Sequence, residues 1–393
     1  MTLPNRTRKD CLILQNIQNR NKLQWLDICF NAMLEYIPEN FTTAIITERF
    51  RLIAEHIDTV GSYLFTETTT DDNIAKFYSM AGIGHKEISN YGIALDYYSK
   101  AVSIRLKNNN EKSLGLVYNN IAVIYNIKAM YALALEYNHK SITISEKLNA
   151  PPTDLTIAYN NLAIVYLQCT SYDKALEWNA KALSTIEKSE FADSLIIADI
   201  HLTRATICYA EEKFEEALEL DFRALNILKA HYSEETSDIG AAYNSIAREY
   251  FSLKQYDFAL EYYVKVKDIY ENVYGKNDSD TAEVYASISK TYMALQDFYR
   301  ALEWCLLALK SQINTLGEGH PEVILRHSLI SEIYEYLELY EDAISHLLII
   351  RDFYAKLEHS QIVGIVNGRI ADNYERMDKH SEASKYRKPI FNS

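Results

Sequence analysis

Two pairs of adjacent asparagines are the residues of this sequence that best suggest a binding chemistry. The stretch VYNNIAVIYNIKAMYALALEY contains Asn119 and Asn120, and AYNNLAIVYLQCTSYDKALEW, 41 residues further along, contains Asn160 and Asn161. Asparagine is a mediocre helix former and packs no apolar core, so its recurrence needs a reason. A side-chain amide carries a donor and an acceptor, and it can therefore pair with one peptide unit of an extended ligand of any sequence.

The residue types that usually carry catalysis form no comparable pattern. The five cysteines stand singly, and Cys208 falls at a position that packing tyrosines occupy in other parts of the chain. The ten histidines form no H-x-x-x-H or HExxH pattern, and Gly275-Lys276 lacks the other residues of a P-loop. Adjacent carboxylates such as Glu211-Glu212 are typical of solvated helix faces. We therefore expect no enzymatic activity, no metal site and no cofactor.

Composition and charge narrow the class of protein further. Among 393 residues, glycine (11) and proline (6) are scarce, which favours an almost entirely helical chain. The formal net charge of −14 disfavours broad affinity for nucleic acid or acidic membranes. No run approaches the ~18 apolar residues of a membrane span, and the N-terminus lacks the apolar core of a signal peptide. The cysteines stand singly and form no disulfide pattern, which is typical of a reducing compartment, and we therefore expect a cytoplasmic protein.

An internal repeat defines the elements that must position the asparagines. In the second half of each unit an alanine precedes Leu or Ile, and we call this alanine the anchor. The anchors are Ala94, Ala134, Ala175, Ala217, Ala259, Ala301 and Ala343, with a weaker eighth at Ala383. Their spacing is 40 to 42 residues throughout. Such regularity predicts stacked copies of one supersecondary unit.

Each unit has the pattern of two closely packed helices. The residue twelve before the anchor is always small, and the residue nine before it is usually tyrosine. In the second unit, Tyr118, Ile121, Ala122 and Tyr125 lie at i, i+3, i+4 and i+7, which is one stripe of a helix. The anchor lies on a second helix. Small residues on both helices allow a close approach, and the aromatics fill the space beside them.

This pattern resembles the tetratricopeptide repeat over roughly residues 70 to 387. The opening YNNLAIVY, from Tyr159, and the linker LGEGHPEV, from Leu316, are similar to those of the kinesin-light-chain type, with its unit of about 42 residues. The resemblance implies an all-α, right-handed superhelical solenoid of helix hairpins, with seven repeats, a partial eighth and an N-terminal helical cap. It divides the chain into a cap or docking segment at 1–69, seven repeats at 70–358, and a degenerate eighth repeat with a C-terminal cap at 359–393. Within the first segment we expect helices at about 8–18, 22–36 and 42–65.

The resemblance also places the asparagines. First helices line the concave groove of such solenoids, and 100° steps from the packing stripe put Asn120 nearly opposite the core, with Asn119 on the flank. By resemblance, Asn120 and Asn161 occupy positions from which family members clamp peptide backbones or C-terminal carboxylates. The alternative is that these amides bond to a neighbouring helix or to water. We expect the peptide-binding groove to include Asn119, Asn120, Asn160, Asn161, Leu167, Tyr209, Asn244, Arg248, Phe251 and Lys290.

Two further groove positions, eleven and eight residues before the anchor, change character along the chain. The residues at these positions are mostly neutral in the first repeats. In the middle repeats they include the apolar Leu167 and Phe251 together with Arg248 and Lys290, and in the last repeats they are acidic. This order predicts a ligand with an apolar centre and with basic residues toward the C-terminal repeats, and a ligand carboxylate could meet Arg248 or Lys290. The simpler interpretation is that Lys290 pairs with Glu332 one repeat along, a contact worth little at an exposed site.

These observations predict a protein-interaction module that binds a peptide or flexible segment of a partner in the groove. It would act as an adaptor, or as the sensor subunit of a separately encoded effector enzyme. The alternative is an intracellular peptide-signal receptor, similar to the bacterial response-regulator-inhibiting proteins, whose N-terminal bundle regulates a partner protein. A site saturated by a short free peptide favours the receptor, and a stable co-purifying partner favours the adaptor.

Overall fold

The computed structural model of the chain describes residues 50–51, 54–55, 57–62, 72–111, 113–189 and 193–387. Within these ranges every regular element is an α-helix, and successive helices pack in pairs as hairpins. The predicted all-α class of helix hairpins is therefore confirmed. The chain divides into two compact units, Met1–Ile196 and Ile197–Ser393, and the boundary falls inside one helix.

The described part of the first unit contains three hairpins. Their helices are α1 (Asp72–Glu87) and α2 (Tyr91–Lys107), α3 (Leu114–Ile127) and α4 (Tyr131–Lys147), and α5 (Pro152–Gln168) and α6 (Tyr172–Glu187). The second helices α2 and α4 contact the first helix of the next hairpin, and the first helices α1, α3 and α5 contact one another in order. The first helices therefore form one continuous face of this unit.

The second unit begins within α7 (Ser194–Ala210), which pairs with α8 (Phe214–His231). The following hairpins are α9 (Ser237–Ser252) and α10 (Tyr256–Val273), α11 (Ser279–Ala294) and α12 (Phe298–Leu316), α13 (Pro321–Tyr336) and α14 (Tyr340–Lys356), and α15 (Ser360–Arg376) and α16 (His380–Tyr386). The last pair falls in the segment for which the sequence predicts a degenerate eighth repeat. In the part of the chain described here, no helix has both the length and the hydrophobicity that crossing a membrane requires.

The small residues of the repeat lie where the two helices of each hairpin meet. All eight anchor alanines are buried, and so are the residues twelve before them, from Gly82 to Ala371. In α11 that residue is Ser289, whose hydroxyl donates a hydrogen bond of 2.7 Å to the carbonyl of the anchor Ala301. The hairpin is thus closed by direct contact between the two small positions, and the predicted register of the repeat is correct.

The turn between the two helices has the same backbone shape in all eight hairpins. Five residues before each anchor, a residue other than glycine adopts a left-handed conformation with φ between 55° and 63°. The next backbone amide donates to the carbonyl nine residues before the anchor, as Met130 does to Tyr125 at 2.8 Å. This bond ends the first helix. Because a Cβ disfavours left-handed backbone, the packing of the helices must impose the turn.

The described residues ahead of α1 pack against the first hairpin. The Phe50 ring fills the space beside Gly84, where an added Cβ would lie 2.0 Å from it. Asp58 Oδ1 accepts a hydrogen bond of 2.6 Å from the Tyr97 hydroxyl and lies 3.0 Å from His85 Nε2. Such contacts are expected of a segment that caps the solenoid. The predicted domain boundaries at 69/70 and 358/359 remain a prediction. The helices predicted at about 8–18 and 22–36 lie outside the described residues.

Candidate functional site

In the first unit, two of the repeated asparagines join neighbouring first helices. Asn161 Nδ2 on α5 donates a hydrogen bond of 3.0 Å to Asn119 Oδ1 on α3. Asn119 is only 8 % exposed, because the flank of α3 on which the sequence placed it is covered. Asn119 therefore bonds to a neighbouring helix, which is the alternative that the sequence left open. Asn161 is half-buried and reaches the face of the first helices.

The other two asparagines of the pairs differ from each other. Asn160 is 9 % exposed and accepts a hydrogen bond of 3.1 Å from Asn179 Nδ2 on α6, within one hairpin. Asn120 is half-buried, and its Nδ2 donates at 3.1 Å to the carbonyl of Leu116, one turn earlier in α3. Asn120 and Asn161 thus keep partial exposure, whereas Asn119 and Asn160 lie inside the packing of the helices.

A pocket of about 90 Å³ lies beside Asn161, between α3, α4 and α5. Apart from Asn161, its lining consists of Ala122, Val123, Asn126, Asn138, Ile164 and Val165. The half-buried side chains of Val123, Asn126 and Ile164 form the rim, and the buried Ala122 and Val165 form part of the floor. Such a space holds several water molecules or a side chain of several heavy atoms.

The floor of this pocket also contains Asn138, on the second helix α4, four residues after the anchor. Its side chain is 1 % exposed, and neither its Oδ1 nor its Nδ2 has a hydrogen-bond partner among the described residues. Asn126 Oδ1, at the rim, is also buried and unpaired within that part of the chain. An unpaired buried polar atom costs about 1–3 kcal/mol. A molecule that supplies the missing hydrogen bonds would recover part of this free energy.

Asn138 was not among the residues predicted from the sequence, although the sequence contains a signal for it. The position four after the anchor is buried in each of the first seven hairpins. It holds Tyr98, Tyr263, Cys305 and Leu347 in four hairpins, and Asn138, Asn179 and Asp221 in the other three. A polar residue at a position that otherwise takes a large or apolar side chain indicates hydrogen bonding inside the packing.

In the second unit, Arg248 and Tyr209 lie against each other. The Arg248 guanidinium is 4.1 Å from the centroid of the Tyr209 ring, a cation–π contact that holds both side chains. The Tyr209 hydroxyl is 3.0 Å from Ser252 Oγ. A ligand carboxylate that approached Arg248 would therefore meet a guanidinium already stacked on an aromatic ring.

The remaining predicted groove residues are partly or fully exposed. Leu167, Asn244 and Phe251 are half-buried, and the Phe251 ring packs against Tyr256 with centroids 5.4 Å apart. Lys290 and Glu332 are both exposed, and no ion pair joins them in the described part of the chain. The structure therefore does not support the simpler interpretation, in which Lys290 forms an ion pair with Glu332.

The acidic end of the predicted groove is largely paired within its own unit. Glu335 accepts hydrogen bonds of 2.8 Å from both Arg369 and Asn373. Arg387 lies 2.9 Å from Asp372 and 2.8 Å from Glu375. These contacts leave less negative charge to meet a basic ligand than the sequence alone indicates.

Two carboxyl groups are buried side by side next to Arg248. Asp221 on α8 and Glu249 on α9 are 1 % and 0 % exposed, and among the described residues their oxygens have no hydrogen-bond partner other than each other. A protonated Glu249 donates to the Asp221 carboxylate. Burial raises the pKa of both carboxyls, and the charge of Asp221 raises the pKa of Glu249 further. In four other hairpins the position of Glu249 is aliphatic, with Ile124, Val165, Ile207 and Ile333.

Two buried cysteines and the grouping of metal-ligating side chains bear on nucleophilic and metal chemistry among the described residues. Cys208 and Cys305 are buried, as expected for Cys208, and burial raises the pKa of both thiols to about 11. Both are therefore protonated at neutral pH and poor nucleophiles. Across the described ranges, no group of three or more His, Cys, Asp or Glu side chains could hold a metal ion.

The hairpins and their register agree with known repeat families. Models of the tetratricopeptide repeat match residues 154–230, and also residues 240–280 and 281–322. Residues 154–230 and 240–322 thus consist of tetratricopeptide repeats, as the resemblance to this class predicted. No curated protein sequence matches it.

Several solved structures share the fold. BtubC (BKLC) from P. vanneervenii is 18% identical with a TM-score of 0.51, over 58% of this chain and 90% of that chain. The quorum sensor NprR from B. thuringiensis, in its apo form, is 16% identical with a TM-score of 0.57, over 86% and 95%. A signal-transduction ATPase with numerous domains and a tetratricopeptide repeat sensor, from Pyrococcus horikoshii, is 14% identical with a TM-score of 0.61, over 96% and 59%. At these identities the similarity shows the fold alone.

Proposed function

We propose that the chain is a protein-interaction module that binds an extended segment of a partner on the face formed by α3 and α5. The observation that carries this proposal is the pocket beside Asn161, where the buried Asn138 amide has no partner among the described residues. An unpaired amide is unfavourable for the fold alone, and a ligand that completes its hydrogen bonds makes binding more favourable.

The surroundings of the pocket suit a peptide segment. Val123 and Ile164 offer apolar contact at the rim, where a ligand side chain would enter. The half-buried Asn120 and Asn161 lie on the same face and can add a hydrogen bond to a peptide unit of the ligand. Apolar walls with a few amides are the usual composition of a small binding site.

An intracellular receptor for a short signalling peptide is the second candidate. The small size of the pocket favours it, because about 90 Å³ at one junction of repeats suits a single anchor residue of a peptide a few residues long. The quorum sensor NprR shares the fold over 86% of this chain, which is compatible with such a role. The two candidates differ in whether a short free peptide is sufficient for binding or a longer segment of a folded partner is required.

Selection of a phage-displayed library of random dodecapeptides on the full-length chain tests the proposal. We expect enriched peptides whose synthetic forms bind with micromolar or lower Kd, about −8 kcal/mol or better, measured by fluorescence anisotropy. Ile164→Glu should weaken this binding at least tenfold, because it places a charge at the apolar rim. Glu332 occupies the equivalent position, eleven residues before the anchor, so the fold accepts glutamate there.

Ile349→Glu is the matched control, because Ile349 is exposed on the second helix α14 and lies outside the pocket. It should leave peptide affinity unchanged. Asn120→Ala with Asn161→Ala should also weaken binding at least tenfold, with the melting temperature measured in parallel because Asn119 then loses its partner. The proposal fails if no peptide is enriched, or if a folded Ile164→Glu chain binds as tightly as the natural one. Saturation by a free dodecapeptide at one per chain favours the receptor.

A further inference from the structure

Two adjacent hairpins use the asparagine four residues after the anchor in different ways. In the hairpin of α5 and α6, Asn179 Nδ2 donates to Asn160 Oδ1, fifteen residues before the anchor. In the hairpin of α3 and α4 the equivalent acceptor is Asn119 Oδ1, which instead accepts from Asn161 Nδ2 on the next first helix. Asn161 thus takes the acceptor that Asn138 would otherwise use. The Asn138 amide is left unpaired within the described residues and lines the pocket.

The unpaired atoms define which chemical group would complete the pocket. They are Oδ1 and Nδ2 of Asn138 and Oδ1 of Asn126, which means two acceptors and one donor group. The rest of the lining is aliphatic apart from Asn161, and no charged residue belongs to it. A complementary group must therefore be uncharged, must donate two hydrogens, and must accept one hydrogen bond.

A primary carboxamide meets these requirements, and the other common side-chain groups do not. Its NH₂ can donate to the two oxygens while its carbonyl accepts from Asn138 Nδ2. A carboxylate offers acceptors only, and its charge would have no counter-ion in the pocket. An ammonium group offers donors only and leaves Asn138 Nδ2 unpaired. A hydroxyl has a single hydrogen to donate, and an apolar side chain leaves all three atoms unpaired.

We propose that the pocket at Asn138 is a specificity site for a glutamine or asparagine side chain of the bound peptide. This inference rests on the proposed function and adds to it the residue type that the peptide must carry. The aliphatic side chains of Val123, Ile164 and Val165 pack against the methylene groups of the ligand side chain. The carboxamide replaces several waters with one group that pairs with all three atoms.

The test uses the synthetic peptides that emerge from the dodecapeptide selection. Each glutamine is replaced singly by glutamate and, in a separate peptide, by methionine. Each asparagine is replaced in the same way by aspartate and by leucine. We expect one position at which both replacements weaken binding to the natural full-length chain at least tenfold. On the Asn138→Leu chain the same replacements should change affinity less than twofold. Leu347 holds the equivalent buried position in α14, so leucine packs there.

Asn126→Leu is a second variant that keeps the test decisive, because Leu167 occupies the equivalent position in α5. It removes one acceptor and should reduce the preference for carboxamide over carboxylic acid severalfold. Free L-glutamine at millimolar concentration should not displace the peptide, and displacement would show a site for the free amino acid instead.

The outcomes separate this inference from the proposed function. If peptides bind and Ile164→Glu weakens them, but no carboxamide is preferred, the proposed function stands and the inference is overturned. A carboxamide preference that persists unchanged on the Asn138→Leu chain also overturns it, because the preference then arises elsewhere. If no peptide binds at all, the proposed function and the inference are both overturned.

Discussion

His327 on α13 and His346 on α14 face each other with their Nδ1 atoms 2.7 Å apart, so one imidazole donates a hydrogen bond to the other. They lie sixteen residues before and three residues after the anchor, where five other hairpins place larger rings. Those pairs are Tyr78–Tyr97, Tyr118–Tyr137, Tyr159–Trp178, Tyr243–Tyr262 and Tyr285–Trp304. The hydrogen bond needs one unprotonated Nδ1 as acceptor, so this contact depends on at least one of the two imidazoles being neutral.

This histidine pair should make the chain sensitive to acid. Burial lowers the pKa of His327, and burial together with the neighbouring His327 lowers that of His346 to about 4. Below pH ~6.5 the unfolded chain binds protons that the folded hairpin does not, so stability falls as the pH falls. His327→Tyr with His346→Tyr, which copies Tyr243–Tyr262, should remove that loss. Thermal unfolding followed by circular dichroism at pH 7.5 and pH 5.0 measures it, and equal pH dependence in both chains would contradict this account.

One substitution at two equivalent positions should have opposite effects on stability. Asn138→Leu removes an amide that is unpaired among the described residues and should stabilise the chain by about 1–3 kcal/mol. Asn179→Leu breaks the 3.1 Å hydrogen bond to Asn160 and should destabilise it by about 1 kcal/mol. Urea unfolding of the two variants and the natural chain gives both values. Changes of the same sign would show that the two amides are equally well paired.

The buried carboxyl pair should weaken the second unit as the pH rises. Because the pKa of Asp221 and that of Glu249 are raised in the folded chain, their contribution is most favourable below the ordinary carboxyl pKa near ~4 and is lost as the pH increases. Glu249→Ile, which copies Ile207, should therefore stabilise the chain more at pH 8 than at pH 5. Glu249→Gln keeps the shape and should also reduce the dependence on pH. Melting temperatures of the three chains at both pH values decide this, and an equal shift at both would refute it.

A larger residue at a small position should disrupt the contact between paired helices. Ala163 on α5 is fully buried, twelve residues before the anchor Ala175. Ala163→Leu should destabilise the chain by roughly 1–3 kcal/mol through overpacking. Ile349→Glu, at an exposed site of α14, serves as the surface control. If Ala163→Leu unfolded at the same urea concentration as the natural chain, the position would not be a helix contact.

The register of the repeat could be predicted from the sequence because the same constraint recurs eight times. A small residue at the anchor and another twelve before it are required wherever two helices touch, so Ala122 and Ala134 were identified by recurrence alone. The family resemblance supplied the identity of the hairpin. The register and the family resemblance both rest on a pattern shared by all the repeats, and a single unusual residue hardly changes that pattern.

The candidate site depends on single residues, and there the sequence was less informative. Helical geometry placed Asn119 on a flank correctly, but it did not show that Asn161 would bond to it across two helices. Asn138 becomes relevant only when the hydrogen bonds of Asn119 and Asn179 are compared. Likewise, the sequence predicts an available acidic end, whereas in the structure Arg369 pairs with Glu335. Choices between alternative partners are decided by tertiary distances, which spacing along the chain does not contain.

The turns of the hairpins have a consequence for how large a piece of this chain can fold by itself. Each holds a residue with a side chain in left-handed backbone, Ala129 and Thr170 for example, at a strain on the order of 1 kcal/mol. The hydrogen bond from the next backbone amide closes each turn locally, and packing against neighbouring helices must supply the rest of the free energy that retains the conformation. We expect an excised hairpin to open at its turn, and the smallest cooperative unit of folding to be longer than the sequence repeat.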